Sequence, residues 1–273
     1  MGSMAGSPEK GTERETVLDM DQAQQPSGSA PTNSVLDGSV SVVVPTYNEM
    51  ENIPMLAQQL FGLGLPDIRL VIVDDGSPDG TANVARELSG RYANRIIVIE
   101  REGKQGLGTA YIAGFKKALE LGTDYMIQMD ADLSHSPEYI PDMLGRLDES
   151  DIVVGSRYIR GGGVDAEWSF KRRFLSSSAN RMIRVITGLK VKDVTSGFKA
   201  YRGNVLQKLD LDAFRCRGFG FQTEVAYACQ RQGFNVAEHP IIFSDRTEGS
   251  SKMSANIMIE AVWRLSLLRI RGT

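Results

Sequence analysis

From residue 40 onward the chain alternates short β-branched runs with longer amphipathic segments, and this alternation limits its fold more than any other feature. Residues 40–44, 70–73, 96–99, 125–129 and 152–154 are apolar runs of the length expected of strands buried on both faces. Between them lie 50–61, 81–91, 107–121 and 137–147, each opening after a polar or Gly/Pro boundary and each read as a helix. A strand–helix unit repeated in this way predicts an α/β fold, a mostly parallel sheet with helices on both faces. Ligands of such sheets gather at the carboxyl ends of the strands. That rule singles out Pro45-Thr46-Tyr47-Asn48-Glu49, Asp74-Asp75-Gly76-Ser77 and Asp130-Ala131-Asp132, three polar clusters that each follow a strand directly.

Beyond Gly155 the pattern loosens. A glycine-rich turn at 161–163 precedes a helix over 170–186, a strand near 198–201, a helix near 222–231 and a strand over 235–243. In the last segment, 254–271, Asn256, Glu260, Arg264 and Arg271 share one side, while Ile257, Met258, Val262, Trp263, Leu265 and Leu268 cover much of the rest. A helix packed on the core is favoured there over one lying in a membrane interface. Residues 1–38, rich in Gly, Ser, Gln and Pro, read as a disordered tail, with Met1-Gly2-Ser3 ahead of Met4 resembling a cloning remnant. The expected organisation is a tail over 1–38, a domain over 39–253 and an amphipathic helix over 254–273.

Composition excludes several classes of function. The 31 Lys and Arg against 34 Asp and Glu give a net charge of −3, which argues against nucleic-acid binding through bulk charge. Two cysteines outside any CxxC pair supply neither a disulfide framework nor a thiolate zinc site, and fit a reducing compartment. With two histidines and no G-x-S-x-G elbow, a hydrolytic triad is disfavoured. No run approaches the roughly 18 apolar residues of a membrane span, and the N-terminus lacks the apolar core of a signal peptide. Charge is unevenly placed, however: residues 40–156 hold 9 basic and 18 acidic side chains, and residues 157–202 hold 11 and 3. Any anion site must be local, and the second block is where to look for it.

The clusters suggest specific chemistry. Asp130 and Asp132 leave a buried strand one residue apart, and once the backbone turns both can approach one divalent cation. The alternative is helix capping, which suits Ser134 and Ser136-Pro137 better than two acids set back from them. His135 could ligate a metal, but a lone histidine in a turn is more often structural. Asp74 and Asp75 offer acceptors, and Tyr47 and Glu49 a ring and a carboxylate, so together they suit a base and a ribose. The phosphate loop G-x-x-x-x-G-K-[ST] is missing, and the glycines at Gly103, Gly106 and Gly108 are wrongly spaced for a dinucleotide fingerprint.

Taken in order, V-V-V-P-T-Y-N-E from Val42, V-D-D-G-S-P-D-G from Val73, G-L-G-T-A-Y from Gly106, M-D-A-D-L-S-H from Met129, G-S-R-Y from Gly155 and D-R-T-E-G-S-S-K from Asp245 resemble the dolichyl-phosphate (polyprenyl-phosphate) mannosyltransferases. These are inverting family 2 glycosyltransferases of the GT-A fold. The resemblance covers about residues 39–271. It implies nucleotide-sugar contacts at Pro45, Tyr47, Glu49, Val73 and Asp75 and at Asp130, Ala131 and Asp132, with Mg or Mn held by Asp130 and Asp132. It also implies catalytic roles for Asp132, Arg157, Arg246 and Lys252, the three cations holding phosphates of the nucleotide sugar. Some members carry Gln two residues after the D-x-D, where this chain has Ser134, so a third protein ligand is not implied here.

The implied partners are GDP-mannose, a dolichyl or polyprenyl phosphate, a membrane surface and, in some settings, a small membrane subunit. The implied place is the cytoplasmic side of a membrane, endoplasmic reticulum in a eukaryote and plasma membrane in a prokaryote. Lys171, Arg172 and Arg173 are candidates for the acceptor phosphate, with a solvated basic face as the alternative. A polyprenyl-phosphate glucosyltransferase would share these motifs, and a non-catalytic nucleotide- or lipid-phosphate-binding module is disfavoured by the intact acids and cations.

Overall fold

The computed structural model describes residues 38–244, apart from 167, 217 and 219. In chain order the main elements are β1 (Val40–Thr46), α1 (Asn52–Gly62), β2 (Ile68–Asp74), α2 (Thr81–Arg91), β3 (Ile96–Glu100), α3 (Leu107–Glu120), β4 (Tyr125–Gln128), α4 (Ile140–Arg146) and β5 (Ile152–Ser156). They continue with β6 (Gly163–Val164), α5 (Phe170–Thr187), β7 (Lys199–Arg202), α6 (Gly203–Lys208), α7 (Gly220–Arg231), β8 (Val236–Pro240) and β9 (Ile242–Phe243). Seven strands form one sheet in the order β3-β2-β1-β4-β7-β5-β8, and β6 pairs with β9 in a separate two-stranded ribbon. All pairings in the large sheet are parallel except those of β7, which runs antiparallel to both β4 and β5.

Both sheet faces are covered, as the unbroken Val/Ile runs demand. On one face α1, α2 and α4 bury Ile53, Leu56, Leu60, Ala85, Met143 and Leu144 against the sheet. On the other, α3, α6 and α7 bury Tyr111, Phe115, Val205, Leu206, Phe221 and Val225. Each of the large apolar side chains among these contributes roughly 1.5–3 kcal/mol by leaving water. The approach of α3 to β1 and β2 depends on Gly114, where an added Cβ would run into Val43 and Val73.

Strand order reverses beside β1, with β2 and β3 on one side and β4 on the other, so a crevice opens at the carboxyl ends of β1 and β4. The register pairs Thr46 with Asp74 and Val43 with Gln128, which brings the three polar clusters of the sequence to one edge. Two features depart from expectation. The helix expected over 137–147 begins as a 3-10 turn, Pro137–Tyr139, with Ser136 accepting from the Glu138 amide at 3.4 Å. The strand expected over 235–243 is broken at Ile241, because β8 belongs to the large sheet and β9 to the ribbon. The reversal of β7 has a functional consequence: an antiparallel strand starts at the edge where its neighbours end, so the loop before β7, residues 193–198, is delivered to the crevice. Among the described residues no helix is long and apolar enough to cross a membrane.

Candidate functional site

Three loops, after β1, β2 and β3, build one wall of the crevice, and hydrogen bonds fix their mutual position. Asp74 is fully buried and accepts from Thr46 Oγ1 at 2.8 Å, from the Ser77 amide at 2.9 Å and from Ser77 Oγ at 2.5 Å. It therefore ties β1 to the β2 loop rather than offering itself to a ligand. Asp79 adds a second tie, accepting from the Thr81 amide, from Thr81 Oγ1 and from the Met50 amide. Asp75 is also buried: Arg101, directly after β3, donates Nε to its Oδ1 at 2.5 Å, and the Gln105 amide donates to its Oδ2 at 3.3 Å. Arg101 Nη1 in turn donates to Thr109 Oγ1 at 2.8 Å, anchoring the guanidinium to α3. The β2 and β3 loops can touch only because residue 76 is glycine: its φ is +66°, and a Cβ there would meet Arg101 O at 3.0 Å and the Gly103 backbone at 3.2 Å. Lys104 of the same loop lies with Nζ 3.4 Å from the centroid of the Tyr47 ring. Glu49 accepts from Asn52 Nδ2 at 2.7 Å. Val73, by contrast, is fully buried in β2, so only its main chain can face a ligand.

The opposite wall is the turn after β4. Asp130 accepts from Tyr111 Oη at 2.8 Å, and its side chain keeps 26% of its surface exposed. Burial and the Asp130 charge together push the Tyr111 phenol well above its ordinary range, so it stays a donor. Asp132 accepts from the Ser134 amide at 3.1 Å and from Ser134 Oγ at 2.5 Å around Leu133, whose φ is +60°. One of the two acids is thus also bonded within its own turn, and Ser134 spends its hydroxyl on that turn. Ala131 between them is buried. His135 accepts the Asp130 amide on Nδ1 at 3.2 Å and stacks on Phe198, its ring centroid 5.2 Å away. Burial lowers its pKa despite the neighbouring acids, so the neutral ring holds the turn in shape. Gly197, from the loop before β7, comes so close that a Cβ would lie 3.4 Å from the Asp130 carboxylate oxygens. Among the described residues no three His, Cys, Asp or Glu side chains cluster as a closed metal site. Two carboxylates with hard oxygen donors, one part-exposed, do fit a divalent cation whose remaining ligands come from phosphate and water.

Arg157, directly after β5, stands on the floor of a second region. Its Nε and Nη2 each donate to the Asp193 carboxylate at 2.8 Å, its amide donates to Asp193 Oδ2 at 3.0 Å, and Nη2 also reaches Thr195 Oγ1 at 2.9 Å. Burial alone would raise the Asp193 carboxyl, but the Arg157 charge and these hydrogen bonds outweigh it and hold the pKa below its ordinary value. A cavity of about 480 Å³ opens here, lined by Arg157, Tyr158, Trp168, Arg173 and Ser176 among others. The Trp168 indole N–H is buried without a hydrogen-bond partner.

Of the three cations expected near an acceptor phosphate, Lys171 is exposed, Arg172 lies 3.7 Å over the Trp168 ring, and Arg173 donates to the carbonyls of Trp168, Asp165 and Ala166. Their helix, α5, exposes Phe170 at 82%, Phe174 at 64%, Leu175 at 56%, Met182 at 46% and Val185 at 72%. Arg246, Lys252 and the segment 254–271 lie outside the described residues.

Arg101, Tyr111, Asp193 and Trp168 are the residues that sequence reasoning missed. Arg101 directly follows β3 and could have been found by the same strand-end rule that found Asp75. Tyr111 stands within the G-L-G-T-A-Y motif. Asp193 and Trp168 carry no local signal.

A mostly parallel sheet with this crevice and a D-x-D turn at its edge has the GT-A-like fold of a glycosyltransferase. The sequence profile of glycosyl transferase family 2 matches residues 41–210, and the chain belongs to that family. Over 250 residues it is 40% identical to the polyprenol monophosphomannose synthase of Mycolicibacterium smegmatis, covering 91% of this chain and 92% of that one. It is also 40% identical over 223 residues to the undecaprenyl-phosphate mannosyltransferase of Micrococcus luteus, covering 82% and 90%. Within the family it therefore stands with the polyprenyl-phosphate mannosyltransferases. Among solved structures, glucosyl-3-phosphoglycerate synthase from Mycobacterium tuberculosis in complex with Mn2+ and UDP-glucose shares the fold, with a TM-score of 0.58 at 19% identity over 86% of this chain and 80% of that one.

Proposed function

We propose that the chain transfers mannose from GDP-mannose to a dolichyl or polyprenyl monophosphate, with inversion, at the cytoplasmic surface of a membrane. What carries the reading is the pairing of two regions: a crevice at the strand ends that carries two carboxylates, and a neighbouring cavity lined by Arg157 with an orphan Trp168 N–H. An orphan buried donor is costly, and an anionic acceptor would satisfy it.

In this reading the base stacks on Tyr47 beside Pro45. Asp75, aimed by Arg101, accepts from the paired N–H groups of guanine, Glu49 accepts from a hydroxyl, and Val73 contributes only main chain. Asp130 and Asp132 hold Mg or Mn, which when bound offsets the charge of the departing diphosphate. Arg157, together with Arg246 and Lys252, holds phosphate oxygens. The Arg157 Nη1 group, with no hydrogen-bond partner among the described residues, is the donor left for that task. Lys171, Arg172 and Arg173 bring positive charge to the acceptor, Arg173 indirectly, by bracing the loop that carries Trp168.

The acceptor monophosphate has a second pKa near ~6, so at neutral pH it is already largely dianionic and needs no general base. Its oxygen attacks C1 of mannose from the face opposite the nucleotide. The C1–O bond to the β-phosphate breaks, the electron pair leaves with GDP, and a β-linked lipid-phosphate mannose forms from the α-linked donor. Cations that hold two repelling phosphates together supply most of what the site must do. The exposed Phe170, Phe174 and Leu175, beside the cavity, rest against the bilayer that keeps the polyprenyl chain.

The test is transfer of label from GDP-[14C]mannose into organic-extractable polyprenyl phosphate, with Mg, Mn or a chelator, and with UDP-glucose as competing donor. Label incorporated from GDP-mannose in a metal-dependent way, in a β linkage by NMR, is the expected outcome. Incorporation from UDP-glucose alone would replace mannose with glucose, and transfer only to water-soluble acceptors would overturn the lipid-phosphate assignment.

A further inference from the structure

Tyr158 and Ser177 line two cavities, not one. Beyond the acceptor cavity, a second space of about 420 Å³ lies against the C-terminal half of α5, lined by Tyr158, Ser177, Asn180, Arg181, Arg184, Val185, Leu189 and Lys192. Three of these eight side chains are cationic, and no acidic side chain among the described residues lines the space. None of the three cations forms an ion pair among the described residues, whereas Arg157 nearby is paired with Asp193. Arg184 Nε is buried without a hydrogen-bond partner. Only two such buried side-chain nitrogens occur among the described residues, Trp168 Nε1 and Arg184 Nε, and each belongs to a residue lining one of the two cavities.

Like charges gathered without a counter-charge repel, and a buried guanidinium N–H without an acceptor carries a desolvation penalty. The nearby acids do not relieve this. Glu238 spends its carboxylate on the amides of Lys192 and Asp193, and Asp193 spends its own on Arg157. An anion bound in this space would have all three cations in its lining. The surroundings point to what bears the anion, since Met182 and Val185, 46% and 72% exposed, put apolar surface beside Arg181 and Arg184. Cations bordering an exposed apolar helix face match the arrangement of headgroup and acyl chain in an anionic bilayer.

We propose that Arg181, Arg184 and Lys192 form a phosphate pocket for the headgroup of an anionic membrane lipid, separate from the donor and acceptor positions. The proposal rests on the membrane-surface reading above and adds a site to it. With the pocket filled, α5 is held along its length, at Phe170 and Phe174 by apolar contact and at its far end by a lipid phosphate. The orientation of the crevice toward the bilayer is then fixed by two points rather than one.

The test uses the full chain and compares flotation with vesicles of phosphatidylcholine alone and of phosphatidylcholine containing phosphatidylglycerol. The variants are Arg181→Gln with Lys192→Gln, both at exposed positions, and separately Arg184→Leu, which removes the orphan donor. Wild type should prefer the anionic vesicles. At about fivefold per neutralised cation, the double variant should lose roughly twentyfold or more in affinity for them. Its transfer to a detergent-dispersed acceptor and its unfolding temperature should be unchanged. Arg184→Leu should weaken vesicle binding without lowering the unfolding temperature.

Vesicle affinity equal to wild type in both variants overturns the proposal, as does a wild type that ignores phosphatidylglycerol. A parallel titration with inorganic phosphate separates the sources. Saturable phosphate binding lost in the double variant, with vesicle binding retained, would make the ligand a soluble anion and refute the lipid assignment. Transfer activity is scored independently, so a wild type that binds anionic vesicles through these residues but transfers no mannose upholds the pocket and refutes the enzymatic reading.

Discussion

Asp193→Ala tests whether the site depends on a residue that touches no substrate in the proposed reaction. Asp193 is fully buried and Arg157 is 10% exposed, and the carboxylate receives two guanidinium bonds and the Arg157 amide. Removing one partner of a buried pair leaves the other charged and unpaired, at a cost of about 3–5 kcal/mol. For a domain of this size each kcal/mol moves the unfolding midpoint by about 2–4 °C, so circular dichroism should report a fall of about 6–20 °C. Transfer should fall with it, because Arg157 loses the fork that aims it.

A second variant isolates the cause. Asp193→Asn with Arg157→Met removes both charges and should recover much of the lost stability while leaving transfer absent. The pH dependence has a definite sign. The Asp193 pKa is lower in the folded chain than its ordinary value of 3.8, so its stabilisation is present above that value and is lost as pH falls through the folded pKa. The gap between wild type and Asp193→Ala should accordingly narrow below about pH 4. The reasoning fails if Asp193→Ala unfolds within about 1 kcal/mol of wild type, or if the double variant is no more stable than the single one.

Asp132→Asn should abolish transfer with little change in the unfolding midpoint, because the amide keeps an oxygen for Ser134 but not the charge a divalent cation needs; wild-type turnover without added metal would remove the metal role. Gly76→Ala should cost about 1–3 kcal/mol and weaken GDP binding by calorimetry, since the residue sits at φ +66° with Arg101 O 3.0 Å from any Cβ, and unchanged affinity would show that the loop contact does not shape the crevice. Lys199, fully buried, has its pKa pushed down to about 7 by burial, so between there and its ordinary value of 10.5 the unfolded chain binds more protons and wild-type stability rises with pH. Lys199→Met lacks that slope. In urea unfolding its stability relative to wild type should be greatest at pH 7 and below and should decline toward pH 10, and parallel profiles would refute the shift.

What the sequence made legible is what local periodicity controls. Buried strands of β-branched residues and the acids at their ends are patterns of a few neighbouring positions, so the crevice and its Tyr47, Asp75, Asp130 and Asp132 could be anticipated together. The partners that tune those residues are set by tertiary approach. Asp193 lies 36 positions from Arg157 and Arg101 lies 26 from Asp75, and no local pattern joins either pair. Strand direction is equally silent: β7 has four residues, three of them buried, and buried alternation reads the same in either sense. Only the sheet shows that β7 is reversed, and that reversal carries Asp193, Ser196 and Gly197 to the ligand edge.

Helix faces present the same difficulty in a sharper form. The run Phe170-Lys171-Arg172-Arg173-Phe174-Leu175 signals an amphipathic helix, and periodicity tells which residues share a side without telling what that side meets. In a compact domain the natural assignment puts the phenylalanines inward and the cations outward. The structure does the reverse for Phe170 and Phe174 and uses Arg173 to brace a loop, because the inward positions at Asn180, Ile183 and Thr187 already dock α5 on the domain. An apolar face left over after packing is therefore information that only the folded chain contains. On the reading proposed above, it makes α5, beside the cavity where the acceptor phosphate would arrive, a surface that meets the membrane.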